Sequence, residues 1–215
     1  MDDLPGTYFW NRSHNPMADR FNEWIQKGLE KIWETESPCR TRENYAYAAA
    51  LFFFSSYAGY RHIPYQIKYG GNKALGRFFG KMLGERLRES GLFDDTDLVI
   101  PVPLHWTRRW KRGYNQAELI AESIAGSLGA ELRTDILRRT KRTQTQTALE
   151  IEDKTRNVDN AFRARRTPEG YRHILLVDDI FTTGSTLYAC FTALRAVFPS
   201  SVRISVATLG FVGGV

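Results

Sequence analysis

One run of the sequence, ILLVDDIFTTGSTL at residues 174–187, constrains the fold more than any other. Its apolar start predicts a buried strand that ends at the carboxylates Asp178 and Asp179, and a helix is expected from about Leu187. Between them lies a turn rich in hydroxyl groups, formed by Thr182, Thr183, Gly184, Ser185 and Thr186. A strand, a Gly/Thr/Ser turn and a helix N-terminus in this order favour phosphate binding, because N–H groups and the helix dipole face the anion. Since the carboxylates are acceptors for sugar hydroxyls, the run predicts a site for a ribose 5-phosphate.

The same run differs from two common nucleotide-binding loops. A Walker A loop requires GxxxxGK[ST] and the dinucleotide fingerprint requires GxGxxG, and the chain contains neither pattern. Because neighbouring residues of a strand point to opposite faces, Asp178 and Asp179 are not expected to bind one metal ion directly. We expect them to hold the ribose 2′- and 3′-hydroxyls, with Mg²⁺ bound to the phosphates of the substrate. The alternative is an ordinary strand–helix turn in which Asp178, Asp179 or Thr182 caps the helix.

Length and composition favour one soluble α/β domain with an N-terminal extension. The chain of 215 residues is long enough to bury a full core. No apolar run is long enough to span a membrane and no signal peptide is recognisable, so a cytoplasmic protein without membrane insertion is expected. The two cysteines, Cys39 and Cys190, are too few for a disulfide framework or a zinc site.

The net charge of +6 comes from one part of the chain. Residues 101–172 contain 15 Lys and Arg against nine Asp and Glu, whereas residues 1–100 contain 13 of each kind. A block of this kind is often only solvated surface. Beside an anion site it would attract a polyphosphate, and it would also bind a nucleic acid backbone. The charge alone leaves these alternatives open.

The order of predicted elements indicates a parallel sheet. From residue 97 onward strands alternate with helices, which predicts helices on both faces of the sheet. Strands are predicted in residues 45–57, 98–102 and 202–209, helices in 15–33, in 115–128 and from the Gly70-Gly71 break to about Gly91, and a loop with short elements in 138–167. Ligands of such sheets bind beyond the carboxyl ends of the strands. The turns after Ile100 and Val177 are therefore expected to face one crevice.

The run VDDIFTTGST resembles the signature of the type I phosphoribosyltransferases, in which two acidic residues and a Thr-Thr-Gly-x-Thr loop bind 5-phosphoribosyl-1-diphosphate (PRPP). Three further segments are similar to the ComF family within that superfamily: QIKYGGNKALG (66–76), IPVPLHWTRRWKRGYNQAELIAESIA (100–125) and LRRTKRTQTQTALEIEDKTRNVDNAF (137–162). The resemblance covers nearly the whole chain. It implies a phosphoribosyltransferase-like domain over residues 93–215 and a ComF-like N-terminal extension over residues 1–92 that packs on it.

ComF-like proteins are associated with competence for DNA uptake and are commonly labelled amidophosphoribosyltransferase-like. Their chains usually begin with a four-cysteine zinc-binding module, and this chain opens with MDDLPGTYFW, about where that module would have ended. A literal amidophosphoribosyltransferase is disfavoured, because glutamine hydrolysis needs a positioned nucleophilic cysteine and a glutamine domain.

The resemblance also implies roles for individual residues. Asp178 and Asp179 would bind the ribose hydroxyls, and residues 182–186 would bind the 5′-phosphate. The turn formed by Pro101, Val102, Pro103 and Leu104 matches the loop whose backbone N–H groups hold the diphosphate. The alternative for this turn is a strand end made by two prolines.

Several basic residues are further candidates by the same resemblance. Arg112 lies in a cluster after the proline turn that would neutralise the departing diphosphate, and Arg139 lies in a flexible loop (138–146) that would close over PRPP. Lys68 matches a ComF-like motif and would either bind PRPP or only pack the N-terminal part of the chain. Asp178, Asp179, Arg139 and Arg112 are the predicted catalytic residues. Each basic residue taken singly is equally compatible with a solvated surface.

Three functions remain open from the sequence. The first is transfer of a phosphoribosyl group from PRPP to an unidentified nitrogen nucleophile, with Mg²⁺ as cofactor and release of diphosphate. The second is a PRPP or nucleotide sensor without catalysis. The third is an accessory protein of DNA uptake that binds single-stranded DNA or a competence helicase through the basic block.

Overall fold

The computed structural model describes residues 8–10, 46–54, 72–104, 110, 113–140, 161–165 and 170–212. Eight strands are β1 (Tyr8–Trp10), β2 (Ala48–Phe54), β3 (Leu98–Pro101), β4 (Glu131–Leu132), β5 (Leu137–Arg139), β6 (Phe162–Ala164), β7 (His173–Phe181) and β8 (Arg203–Val212). Three helices are α1 (Lys73–Glu89), α2 (Gln116–Leu128) and α3 (Ser185–Arg195). None of these helices is long and apolar enough to cross a lipid bilayer. The helix predicted in residues 15–33 lies outside the described residues.

The main sheet has six strands in the order β1-β2-β8-β7-β3-β4. The five strands from β2 to β4 are mutually parallel, and β1 pairs antiparallel with β2 at the edge. Strands β5 and β6 form a separate antiparallel pair. The predicted α/β fold with a parallel sheet is therefore confirmed. Strand β2, which lies within the predicted N-terminal extension, is part of this same sheet, and a boundary near residue 92 stays a prediction.

Two hydrophobic cores cover the two faces of the sheet, because its central strands are apolar on both sides. The α1/α2 core joins Leu83 of α1 and Ile120 and Ile124 of α2 to the sheet residues Leu175 and Val177. The α3 core joins Leu187, Cys190 and Leu194 of α3 to Ile174 and Leu176, and the β5–β6 pair also packs there through Leu137 and Phe162. The chain is thus a three-layer structure with helices on both faces of the sheet, as the sequence predicts.

Helices α1 and α2 lie unusually close together because glycines face the contact. A Cβ atom built on Gly80 would be 3.0 Å from Cα and O of Ile120, and one built on Gly84 would be 2.7 Å from Cβ of Ser127. At the start of the two helices, Nζ of Lys73 lies 5.3 Å from the centre of the Tyr114 ring. Both helices therefore begin at the same end of the sheet. Asn72 and Asn115 cap them by accepting hydrogen bonds from the N–H groups of Leu75 and Ala117.

Three predicted element boundaries near the acidic pair are wrong. Strand β7 does not end at Asp178 and Asp179 but continues to Phe181, since Ile180 and Phe181 pair with Gly210 and Phe211 of β8. Strand β8 accordingly extends to Val212, beyond the predicted end at residue 209. Helix α3 begins at Ser185, two residues before the predicted start. The pairing of two long central strands, which depends on tertiary structure, decides these ends.

Candidate functional site

The acidic pair lies where β7 extends beyond its neighbour β3. The last pair between these strands joins Pro101 to Val177, so the β3–β7 ladder ends just before Asp178 and Asp179. On the other side β8 continues beside them, with Thr208 opposite Asp178. A step in the edge of the sheet results, and both half-buried carboxylates lie along it. This is the carboxyl end of the parallel strands, where ligands of such sheets bind.

The two carboxylates leave the strand on opposite faces. Asp178 follows the alternation of Ile174 and Leu176 and lies on the α3 side, whereas Asp179 follows Leu175 and Val177 and lies on the α1/α2 side. Oδ1 of Asp178 accepts a hydrogen bond of 2.8 Å from the backbone N–H of Asp179. This bond orients the carboxylate of Asp178 along the strand.

The alternation of side chains shifts by one residue just beyond the acidic pair. In β2 the adjacent residues Leu51 and Phe52 both pack in the α1/α2 core, and in β8 Leu209 packs in that core while Phe211 packs in the α3 core. A regular strand would place residues 209 and 211 on the same face. Because β7 pairs in register with β8, Phe181 also turns to the α3 core, and its ring centre lies 5.4 Å from that of Phe211.

The turn between β7 and α3 is held by hydroxyl groups and by one glycine. The hydroxyls of Thr183 and Ser185 lie 2.7 Å apart, within hydrogen-bond distance. Gly184 has a φ of 80°, in the left-handed region that favours glycine. A Cβ on Gly184 would also be 2.8 Å from Cζ of Phe181. The backbone of the turn thus passes directly over an aromatic ring of the strand.

Helix α3 begins without a side-chain cap. Gly184 is its N-cap residue, and the first helical bond runs from the N–H of Tyr188 to the carbonyl of Gly184 at 2.8 Å. The side chain of Ser185 is buried, that of Thr186 is half-buried and that of Thr182 is exposed. The N–H of Ser185 donates a long hydrogen bond of 3.4 Å to Oγ1 of Thr183. A helix N-terminus is in general suited to an anion, because its first N–H groups have no partner within the helix.

The proline turn after β3 has few backbone N–H groups that could face a ligand. Pro101 and Pro103 carry no N–H, and the N–H of Val102 donates to the carbonyl of Val177 at 2.8 Å. In this conformation these three residues offer no backbone N–H group to a ligand, and Leu104 supplies the next one along the chain. The carbonyl of Val102 accepts a hydrogen bond of 3.0 Å from the side-chain amide of Asn115.

Arg139 lies on the same side of the sheet as Asp178. It is the last residue of β5, and its Cζ atom lies 5.2 Å from the centre of the Phe162 ring. Burial raises the pKa of the Cys190 thiol well above its ordinary value, the charge of Asp178 raises it further, and the charge of Arg139 lowers it. Both charges therefore reach the same buried sulfur from the α3 side. Arg138, its neighbour, is exposed.

The remaining predicted basic residues, Lys68 and Arg112, lie outside the described residues. Asn115 and Phe181, by contrast, are structural parts of the site that sequence reasoning did not assign. An Asn before an apolar helix signals an N-cap, but its bond to Val102 carries no sequence signal. The contact of Phe181 with Gly184 depends on the shift of alternation and is equally invisible in the sequence.

Comparison with known proteins gives three informative relatives. The chain is 37% identical over 110 residues to competence protein F of Haemophilus influenzae, an alignment that covers 50% of this chain and 48% of the relative. It is 40% identical over 91 residues to the DNA utilization protein YhgH of Escherichia coli O157:H7 (42% of this chain, 40% of the relative). It is 33% identical over 92 residues to competence protein ComFC of Bacillus subtilis (42% and 35%).

The aligned region spans half or less of the length of these curated relatives. No protein-family model matches the chain. The predicted resemblance is nevertheless confirmed by the relatives, since proteins named competence protein F and ComFC are both among them. Over half of its length or less, the chain is similar to proteins named for competence and for DNA utilization.

Proposed function

We propose that this protein binds PRPP at the step in the sheet edge and transfers its phosphoribosyl group to a nitrogen nucleophile, in a role associated with competence. One observation carries the proposal. Strand β7 extends beyond β3 and brings Asp178, Asp179 and the turn at 182–184 next to the N-terminus of α3, where the N-cap residue Gly184 adds no side-chain cap. Acceptors for sugar hydroxyls thus lie one short turn from donors for a phosphate.

The proposed reaction is a displacement of diphosphate at C1 of the ribose. The bond between C1 of the ribose and the diphosphate oxygen breaks, with its electron pair leaving on the diphosphate. A nitrogen lone pair forms the new bond to C1, and that nitrogen then gives up a proton to solvent. Positive charge develops on the sugar ring, where the carboxylate of Asp178 or Asp179 stabilises it. The chain contributes binding, orientation and charge, and needs no nucleophile of its own.

In this proposal Mg²⁺ arrives bound to the phosphates of its ligand. The described residues contain no group of three or more His, Cys, Asp and Glu side chains that could hold a metal ion. The two carboxylates of the acidic pair leave β7 on opposite faces, so they are not a joint ligand pair. When bound to the phosphates of PRPP, Mg²⁺ would offset part of their negative charge and ease departure of the diphosphate.

The test is calorimetric titration of PRPP with Mg²⁺ into the wild type and the single variants Asp178→Asn and Asp179→Asn. Loss of a carboxylate that accepts sugar hydroxyls should weaken binding at least tenfold, since bonds to charged groups contribute about 1.5–3 kcal/mol. Asp94→Asn, which removes one exposed carboxylate from another part of the chain, is the matched control and should bind as the wild type does. Wild-type protein that binds no PRPP would overturn the proposal.

Turnover is tested separately by diphosphate release. Ammonia, primary amines and free bases are offered as acceptors, and release that depends on one of them supports transfer. Binding of PRPP without release for any acceptor would favour the sensor hypothesis.

A second candidate function, binding of single-stranded DNA, is favoured by Trp110. Its side chain is 88% exposed, and in the sequence it stands between Arg108, Arg109, Lys111 and Arg112. Aromatic and basic side chains together bind single strands by stacking and by phosphate contacts. Trp110→Ala should weaken binding of a labelled oligonucleotide and leave PRPP binding unchanged. Affinity that does not fall with salt would speak against this function.

A further inference from the structure

We propose that Asn115 is a positioning residue, which holds the turn after β3, and with it the N–H of Leu104, in place for the diphosphate that the resemblance assigns to this turn. The inference rests on the proposed function and adds a specific role to it. The Asn115 side chain is only 3% exposed, although it stands at a helix N-terminus. Its amide is used at both ends: Nδ2 donates to the carbonyl of Val102 at 3.0 Å, and Oδ1 accepts from the N–H of Ala117 at 3.2 Å.

The two bonds join the start of α2 to the end of β3. The N–H of Val102 donates to Val177 of β7, and its carbonyl accepts from Asn115. The N–H of Val102 is thus fixed by β7 and its carbonyl by Asn115 at the start of α2. Val102 directly follows Pro101, the last residue of β3 that pairs with β7. The turn that follows, Pro103 and Leu104, leaves this fixed point beside the step that carries the acidic pair.

Capping alone does not account for this arrangement. Asn72 also caps its helix, α1, with Oδ1 accepting from the N–H of Leu75, three residues further on, at 3.0 Å, and it is exposed. An N-cap therefore needs no burial and no second bond in this chain. The buried donor of Asn115 satisfies a carbonyl that would otherwise lose its partner. Removing this Nδ2 donor frees the turn, and a suitable side chain at position 115 can still cap α2.

Two variants of Asn115 separate the capping of α2 from the hydrogen bond to Val102. In Asn115→Ser the hydroxyl still caps the helix but is too short to replace the amide at Val102. In Asn115→Asp the carboxylate also caps, yet it has no N–H to donate to a carbonyl. Asn72→Ser and Asn72→Asp are the matched controls, since they make the same changes at an N-cap without a second bond. Thermal unfolding of all four variants establishes that each is folded.

Ribose 5-phosphate, diphosphate and PRPP are then titrated with Mg²⁺ into each folded protein. We expect Asn115→Ser to bind diphosphate and PRPP at least tenfold more weakly than the wild type and ribose 5-phosphate within about twofold of it. The Asn72 variants should bind all three as the wild type does. A merely structural defect would weaken all three ligands equally, and that result overturns the proposal, as does wild-type affinity for diphosphate in Asn115→Ser.

The same titrations of the wild type test the proposed function itself. A wild type that binds PRPP, together with unchanged Asn115 variants, removes the positioning role and leaves the proposed function standing. A wild type that binds neither ribose 5-phosphate nor PRPP removes the proposed function and the positioning role with it.

Discussion

The ring of Phe181 lies against the backbone of Gly184, so close that a Cβ on the glycine would be 2.8 Å from Cζ of the ring. The ring is itself packed on Phe211 in the α3 core. The last residue of β7 therefore determines the path of the turn that leads into α3. Any side chain at position 184 would have to displace either the ring or the turn.

Gly184→Ala should destabilise the fold and abolish the proposed phosphate site together. The left-handed conformation, with φ of 80°, costs a residue with a Cβ about 1–2 kcal/mol, and the overlap with Phe181 adds about 1–3 kcal/mol. We expect a loss of about 2–5 kcal/mol in the free energy of unfolding by chemical denaturation, and PRPP binding at least tenfold weaker.

Gly129→Ala is the control for this substitution. Gly129 also has a positive φ, 69°, at the C-cap of α2, and a Cβ there would meet nothing within 4 Å. The free energy of unfolding of Gly129→Ala should fall by only about 1–2 kcal/mol, the cost of the left-handed conformation, and PRPP binding should be unchanged. Equal losses in the two variants would show that the Phe181 contact contributes nothing.

Gly84→Ala should weaken the packing of α1 on α2. A Cβ at this position would be 2.7 Å from Cβ of Ser127 and 3.0 Å from Cα of Ile124, so the helices must separate. Overpacking of this kind costs about 1–3 kcal/mol.

Gly126 is the matched position without a packing contact. It lies in the interior of α2, a Cβ there would have nothing within 4 Å, and Gly126→Ala should raise stability by about 0.5–1 kcal/mol through helix propensity. Urea unfolding of both variants measures the contrast, and a destabilised Gly126→Ala would refute the packing argument.

His173, at the opposite end of β7 from the acidic pair, should make stability depend on pH. The fully buried ring lies between Asp95, whose Oδ1 is 2.8 Å from Nδ1, and Ser205, whose Oγ is 2.7 Å from Nε2. The hydroxyl of Ser205 also accepts the N–H of Tyr47 at 3.1 Å. In the neutral ring Nδ1–H donates to Asp95 and Nε2 accepts from Ser205, which joins β7 and β8 to the start of β2.

Burial lowers the pKa of His173 to about 4, against the opposing charge of Asp97. The unfolded chain takes up its proton near pH 6.5, so the folded state binds fewer protons between these values. Stability should therefore be constant above about pH 6.5 and fall by about 3 kcal/mol as the pH drops to about 4. The variant His173→Gln should lack this component, measured as the difference between its pH–stability curve and that of the wild type. Parallel curves would show that His173 does not titrate in this way.

Cys190 should be chemically inert in the folded protein. The thiol is fully buried under α3, and burial together with Asp178 raises its pKa, so little thiolate exists at neutral pH. Alkylation with iodoacetamide followed by peptide mapping should label Cys190 only after denaturation. Labelling under native conditions would mean that α3 opens away from the sheet. Cys190→Ala should leave PRPP binding unchanged.

The elements around the candidate site were the part of the fold that the sequence predicted best. The run at 174–187 predicted a strand, a turn and a helix in the right order, because its apolar block, hydroxyl-rich turn and amphipathic helix are local signals. Their boundaries were displaced by two to four residues near Asp178 and Leu187. Strand ends depend on the length of the neighbouring strand, and β8 lies some twenty residues further along the chain.

By itself, the sequence determined the α/β class, the parallel sheet and the identity of the acidic pair and its turn, since these follow from periodicity and residue type. Only the tertiary structure decided that β7 extends beyond β3, that Val102 gives its N–H to the sheet, that Asn115 holds the carbonyl of Val102, and that Phe181 contacts Gly184. Each of these relationships joins residues through the register of neighbouring strands or the placement of a helix on them. Register and placement are set by packing of the two cores, which no local pattern encodes.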